Sequence, residues 1–235
     1  MIENFEIKRN FFNTPYEKWQ DPWIGCTLKE TRRVNLIVGK NGVGKTLLLE
    51  NIFYQSCGNE KSKYINEHWS DLNKAYFIRS WDKYRDCEQL DISDDREFVH
   101  EYAKNIAEII NPTVKFNLKA CSDTVINALH ILFSLATRKN GILLLDNFNN
   151  NFHYAVIAYV WKMIFELSEK FNVQVFAVTH SWDCIVGFAK ASSDEAGAIY
   201  RISTSAHTAD HGKKIITRFG YEETLNFIEN DREVR

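Results

Sequence analysis

The 235-residue sequence predicts an α/β fold, a mainly parallel sheet flanked by helices, with antiparallel strands at the N-terminal and C-terminal regions. Three observations carry this. Apolar runs of strand length recur along the chain, helix-period segments separate several of them, and one run leads through a glycine-rich loop straight into a helix. The strand runs are FEI near the start, VNLIV (34–38), AYFI (75–78), ILLL (142–145), VQVFAV (173–178), AIYRI (198–202) and KIITRF (214–219). Among the helices, Asp94 and Glu97 form a capping-box-like pair, after which Phe98, Tyr102, Ile106 and Ile109 share one face until Asn111-Pro112 ends the segment. A second helix is expected from Ser122 to about Arg138, with Val125, Leu129, Leu132, Phe133 and Ala136 on its apolar side and Gly141 beyond its end. A third, roughly 153 to 170, turns Val156, Val160, Ile164 and Leu167 to a core. The polar, aromatic-rich stretch from about 57 to 95 follows neither period.

Bulk composition narrows the class. An apolar share of 45% over this length is enough for one sizeable core, and with three prolines and no low-complexity tract the expectation is a single domain, 1–235. A formal charge of −2 gives no argument for nucleic acid, and no polybasic run argues for a membrane surface, although a local patch stays open. The five cysteines (Cys26, Cys57, Cys87, Cys121, Cys184) are odd in number, scattered and free of any C-x-x-C spacing, which points to a reducing compartment. No export signal or long apolar run stands in the sequence, so the expected location is cytoplasmic.

VNLIVGKNGVGKT satisfies G-x-x-x-x-G-K-[ST] through Gly39, Gly44, Lys45 and Thr46, after an apolar strand and before the helical LLLENIF. Gly39, Gly42 and Gly44 can take the backbone angles that turn successive N–H groups, those of Asn41 and Val43 included, into one concavity. The helix start behind them adds a favourable potential for anions. A triphosphate fits such a cradle. Lys45 would then reach the β- and γ-phosphates, and the Thr46 hydroxyl would fill one position around Mg²⁺.

Asp146 closes the ILLL strand, where a Mg²⁺ ligand belongs because ligands gather at the carboxyl ends of parallel strands; alone it would read equally as a turn residue. VQVFAVTHS is another buried-type strand, ending in Thr179, His180 and Ser181. A histidine there can sense a γ-phosphate by hydrogen bonding, the alternative being an ordinary surface histidine.

These three elements resemble the ABC/SMC-like branch of P-loop ATPases, and within it the small AAA-family proteins whose ATPase domain is like that of the overcoming-lysogenization-defect (OLD) nucleases. The likeness runs over nearly the whole chain: RRVNLIVGKNGVGKTLLLENI resembles the phosphate-loop segment, QVFAVTHSWDCI the switch-histidine segment and GYEETLNFIENDREVR the C-terminal end. The resemblance implies an ABC-ATPase-like head that sandwiches ATP and Mg²⁺ between two copies. It also implies a prokaryotic setting and a separate effector, often a nuclease or toxin in antiphage defence. Each head's signature segment would close on its neighbour's γ-phosphate, which assigns that role to Ser122 and Asp123.

Two departures from the family pattern bear on function. KACSDTVINAL keeps Ser122 and Asp123 of the signature but none of its glycines, and Ser122 reads equally well as a plain N-cap. Where the family carries two glutamates after the metal aspartate, this chain has Asn147 and Asn149, while His153 matches. An amide can orient water but cannot act as its base, and base assistance is typically worth about 10² to 10⁴ in rate. With Asn147 and His180 at the catalytic positions, the expectation is retained nucleotide binding with slow turnover, a switch more than a motor. His153, Asp183 or a residue from a partner are the candidate substitutes for the base. A non-catalytic scaffold is the rival reading, and a small-molecule kinase a third that the switch histidine disfavours. His207 and His211 have an i, i+4 spacing with no further ligand near, and Trp19, Trp23 and Phe12 suit packing better than stacking on a base.

Overall fold

The computed structural model describes residues 1–7, 22–56, 75–78, 101, 102, 104–106, 108, 123–147, 152, 154–193, 196–207, 210 and 212–229. Strands β1 (Phe5–Glu6) and β2 (Thr27–Leu28) are followed by β3 (Val34–Val38), α1 (Lys45–Ser56), β4 (Ala75–Ile78) and α2 (Asp123–Thr137). Then come β5 (Ile142–Asp146), α3 (Tyr154–Lys170), β6 (Gln174–Val178), α4 (Trp182–Ala191), β7 (Gly197–Thr204), β8 (Lys214–Phe219) and α5 (Tyr221–Glu229). The described residues between 101 and 108 are helical, in line with the helix expected after Asp94.

Six strands form one sheet in the order β4-β5-β6-β3-β7-β8. The first five run parallel, and β8 returns antiparallel to β7, with Tyr200 opposite Arg218. β1 and β2 make a separate antiparallel pair. The expected mainly parallel sheet with antiparallel strands toward both ends is therefore what the chain forms.

Strands buried on both faces explain the unbroken apolar runs, since side chains alternate and each side meets its own core. From β3, Val34, Leu36 and Val38 face one core while Ile37 faces the other; from β5, Leu143 and Leu145 oppose Ile142 and Leu144. The first core is covered by α2, α3 and α4, which contribute Leu132, Trp161 and Phe188. The second lies under α1 and the N-terminal segment, with Leu48, Ile52, Trp23 and Leu28. Two buried amides tie the backbone at the amino ends of the strands. Asn35 Nδ2 donates to Arg32 O at 2.7 Å and Val175 O at 3.1 Å, and Gln174 Nε2 donates to Ile2 O at 2.9 Å, which holds the chain start against the sheet.

α2 and α3 fall within a residue of their expected bounds. α4 and α5 have no counterpart in the periodicity reading. α5 starts on a Gly220 whose N–H donates to Glu223 Oε2 at 3.0 Å, a capping-box contact. No helix among the described residues is long and apolar enough to cross a membrane.

Candidate functional site

The parallel arrangement brings the carboxyl ends of β3, β5 and β6 to one edge, and the three motifs meet there. Gly39 leaves β3 with φ 151, and a Cβ on it would lie 2.6 Å from the Ile202 carbonyl oxygen of β7. Only glycine lets the loop start this close to the neighbouring strand. Gly42, with φ 76, sits at the exposed tip beside Asn41, whereas Val43 turns inward and is buried in the core under α1. Gly44, with φ 101, rests on Trp23, whose Cζ2 would stand 2.5 Å from an added Cβ. Trp23 is 3% exposed, so it is a core residue beneath the loop and not an exposed stacking platform. Trp19, Phe12 and His211 lie outside the described residues.

Within the loop, the Val43 N–H donates to Lys40 O at 3.3 Å, and the first intrahelical bond of α1 runs from the Leu48 N–H to Gly44 O at 3.1 Å. The amides of Lys45, Thr46 and Leu47 precede that bond and belong to the first turn, whose N–H groups face the loop. Lys45 is buried and its Nζ donates to Gly39 O at 2.8 Å and Lys40 O at 3.0 Å, spanning the loop's mouth. Burial pulls its pKa below the usual lysine value, and the nearby Asp146 pulls it partly back. A cation held by neutral carbonyls in a desolvated place is ready to exchange them for an anion.

Thr46 and Asp146 meet although 100 residues separate them. The Thr46 hydroxyl lies 3.1 Å from each carboxylate oxygen of Asp146, which is 2% exposed. Hydroxyl and carboxylate are hard oxygen donors, the chemistry Mg²⁺ selects, and such ions take one or two protein ligands plus phosphate oxygens. These residues fit the pair of cofactors expected of the site.

β6 lies beside β5 with Val178 opposite Asp146, so the residues after each strand are also neighbours. His180 Nδ1 stands 3.4 Å from Asn147 Oδ1, and His180 is exposed to solvent. The switch segment is anchored behind it. Thr179 is fully buried, its N–H donates to Ile37 O at 3.2 Å, and its Oγ1 accepts from the Ser181 N–H at 3.1 Å. Ser181 in turn caps α4, accepting from the Cys184 N–H at 3.4 Å. Sequence reading missed these supports: Trp23 under the loop, Ile202 beside Gly39, and Thr179 and Ser181 behind His180.

Of the predicted site, the fold thus gathers Gly39, Asn41, Gly42, Val43, Gly44, Lys45, Thr46, Asp146, Asn147 and His180 at one edge. Asp123 opens α2 and is exposed, taking no part in the Thr46–Asp146 or Asn147–His180 contacts. Ser122, Asn149 and His153 lie outside the described residues, and Asp183 sits exposed in the first turn of α4.

No family model and no curated protein matches the chain. Solved structures do match in fold. An SMC head, solved bound to the C-terminal winged-helix domain of ScpA, superposes with a TM-score of 0.53 at 13% identity, covering 86% of this chain and 94% of that one. CbiO1 from Clostridium perfringens, part of the ABC transporter complex CbiONQ, superposes with a TM-score of 0.52 at 18% identity, covering 88% of this chain and 85% of that one. The fold of this chain is that of the P-loop domains found in ABC cassettes and SMC heads.

Proposed function

We propose that the chain is a nucleotide-gated switch that binds Mg-ATP between two copies of itself, hydrolyses it slowly and controls a separate effector. The observation that carries this reading is the pairing of Thr46 with Asp146 at the mouth of a glycine loop whose lysine is buried and desolvated. A hydroxyl and a carboxylate beside a nest of helix-start amides form a site for a metal-bound polyphosphate. The amide at Asn147 supports slow turnover, because the position beside the metal carboxylate has no proton acceptor of useful strength. The SMC head of the comparison carries a partner protein's domain, which is in keeping with a head that acts through another chain. A nuclease or toxin of an antiphage system is the effector class that the family resemblance favours.

Calorimetry with Mg²⁺ and a non-cleavable ATP analogue is expected to give one site per chain, lost in Lys45→Ala. No heat and no thermal protection would overturn the reading. Asn147 also favours a second one, a scaffold that binds nucleotide without turnover. Single-turnover cleavage separates them: slow product release supports the switch, and complete retention of the triphosphate supports the scaffold. Brisk steady-state hydrolysis would defeat both.

A further inference from the structure

Asn147 directly follows β5 with a left-handed backbone, φ 47. Non-glycine residues visit that region rarely, and asparagine and aspartate do so several-fold more often because their short polar side chains can bond locally. Among the described residues four non-glycines have positive φ, and three are asparagines: Asn140, Asn147 and Asn172. The fourth, Glu30, has its N–H tied to Asn4 Oδ1 at 3.1 Å. The chain uses asparagine where it needs this turn. Asn147 Oδ1 also stands 3.4 Å from His180 Nδ1. An amide oxygen only accepts, so the ring enters this contact as the donor, through Nδ1. The His180 backbone is held independently through Thr179 and Ser181.

We infer that Asn147 is a positioning residue, kept for the left-handed turn at the end of β5 and for fixing the His180 ring, and not simply a base that has lost its charge. The functional meaning rests on the triphosphate reading of the site; the geometry is measurable without nucleotide. A chemical consequence follows. A glutamate at this position gains a carboxylate but loses the turn preference, so placing one there disturbs the β5 end instead of restoring a base.

Four variants test this. Asn147→Gly keeps the backbone and removes the side chain, Asn147→Asp keeps the turn preference and an acceptor oxygen, Asn147→Ala loses both, and Asn147→Glu supplies the carboxylate without the turn preference. The melting temperature of the glycine variant is expected within about 1 °C of wild type and that of the alanine variant about 2–4 °C lower; both acidic variants add the same carboxylate beside Asp146, so the glutamate variant is expected about 2–4 °C below the aspartate variant. In side-chain ¹⁵N spectra of the ligand-free protein, the His180 signal, identified by its loss in His180→Gln, should report a protonated Nδ1 in wild type and Asn147→Asp. That signature should disappear in Asn147→Gly. Single-turnover cleavage of ATP by Asn147→Glu should be no faster than wild type. A glutamate variant as stable as wild type and about 10² faster or more would make the position an exchanged base and overturn the inference. An identical His180 signature in wild type and Asn147→Gly would do the same. Failure of the wild type to bind any triphosphate would strike the functional reading alone, leaving the melting and ¹⁵N series to decide the positioning role.

Discussion

Lys45 carries its charge in the ligand-free fold at a cost in stability. Its folded pKa is depressed by burial below the usual 10.5, so the unfolded chain holds this proton more tightly than the folded one. Stability therefore rises with pH through the window between the folded and unfolded values, and at neutral pH the charge is carried at a cost. Lys45→Met removes that cost along with two hydrogen bonds to neutral carbonyls, each worth only about 1 kcal/mol net. Relative to wild type, the ligand-free variant is expected to lose ground as pH rises toward 10.5, and thermal protection by triphosphate is expected to be lost. Scanning fluorimetry at two pH values, with and without the analogue, checks both. A melting difference that does not move with pH would mean that the charge of Lys45 costs the fold nothing.

At the scale of elements, α4 bears on how firmly His180 is held, because it begins two residues after His180 and packs on α3. The Trp161 Nε1–H donates to Cys184 O at 2.9 Å, and the Trp161 and Phe188 rings meet edge to face at 4.9 Å. Gly187 is what lets the two helices approach. A Cβ there would stand 2.9 Å from Ile157 Cγ2 and 3.2 Å from Trp161 Cδ1. Gly187→Ala gains up to about 1 kcal/mol in helix propensity but overpacks a closed interface, which typically costs about 1–3 kcal/mol. The second effect is the larger, so a fall in melting temperature of about 2–4 °C is expected by calorimetry, and a rise would show that the interface has slack. The same helix marks the limit of what the sequence discloses. β3, β5 and β6 were legible because strands buried on both faces read as unbroken apolar runs, and α2 and α3 because each has one apolar and one polar side. α4 buries Cys184, Ile185 and Phe188 and exposes Asp183 and Lys190, but at ten residues it is too short for its period to stand out in the sequence. The glycine loop, Asp146 and His180 were legible from their motifs. The turn at Asn147 and the packing of Trp23 under Gly44 were not, because backbone handedness and contacts across distant residues leave no local periodicity.

On the scale of the whole molecule, one sheet edge brings together the glycine loop, Lys45, Thr46, Asp146, Asn147 and His180. Asn41, Gly42 and His180 are exposed there, while Lys45 and Asp146 are buried beneath them. A triphosphate resting on this edge would keep its far side in water, where hydrogen bonds and charges are worth little, unless a second surface closed over it. The proposed second copy supplies that surface through the start of α2, where exposed Asp123 marks a helix N-terminus that favours anions. In that proposal closure depends on ligand: the bare chain, 27.5 kDa, is expected to sediment as a monomer, and Mg²⁺ with a non-cleavable triphosphate to double its mass. Asp123→Arg tests the route. Reversing that charge costs the helix only about 0.3–1 kcal/mol and touches none of the groups around Lys45, so the single-chain site should bind as before. Dimer formation should strengthen several-fold, because a guanidinium replaces a carboxylate on the helix start that would face the neighbour's phosphate. Sedimentation and calorimetry on the same samples separate the two effects. An Asp123→Arg protein that dimerises with nucleotide no more readily than wild type would place the closing surface elsewhere on the chain, and a nucleotide-bound wild type that stays monomeric at tens of micromolar would remove the sandwich from the proposal.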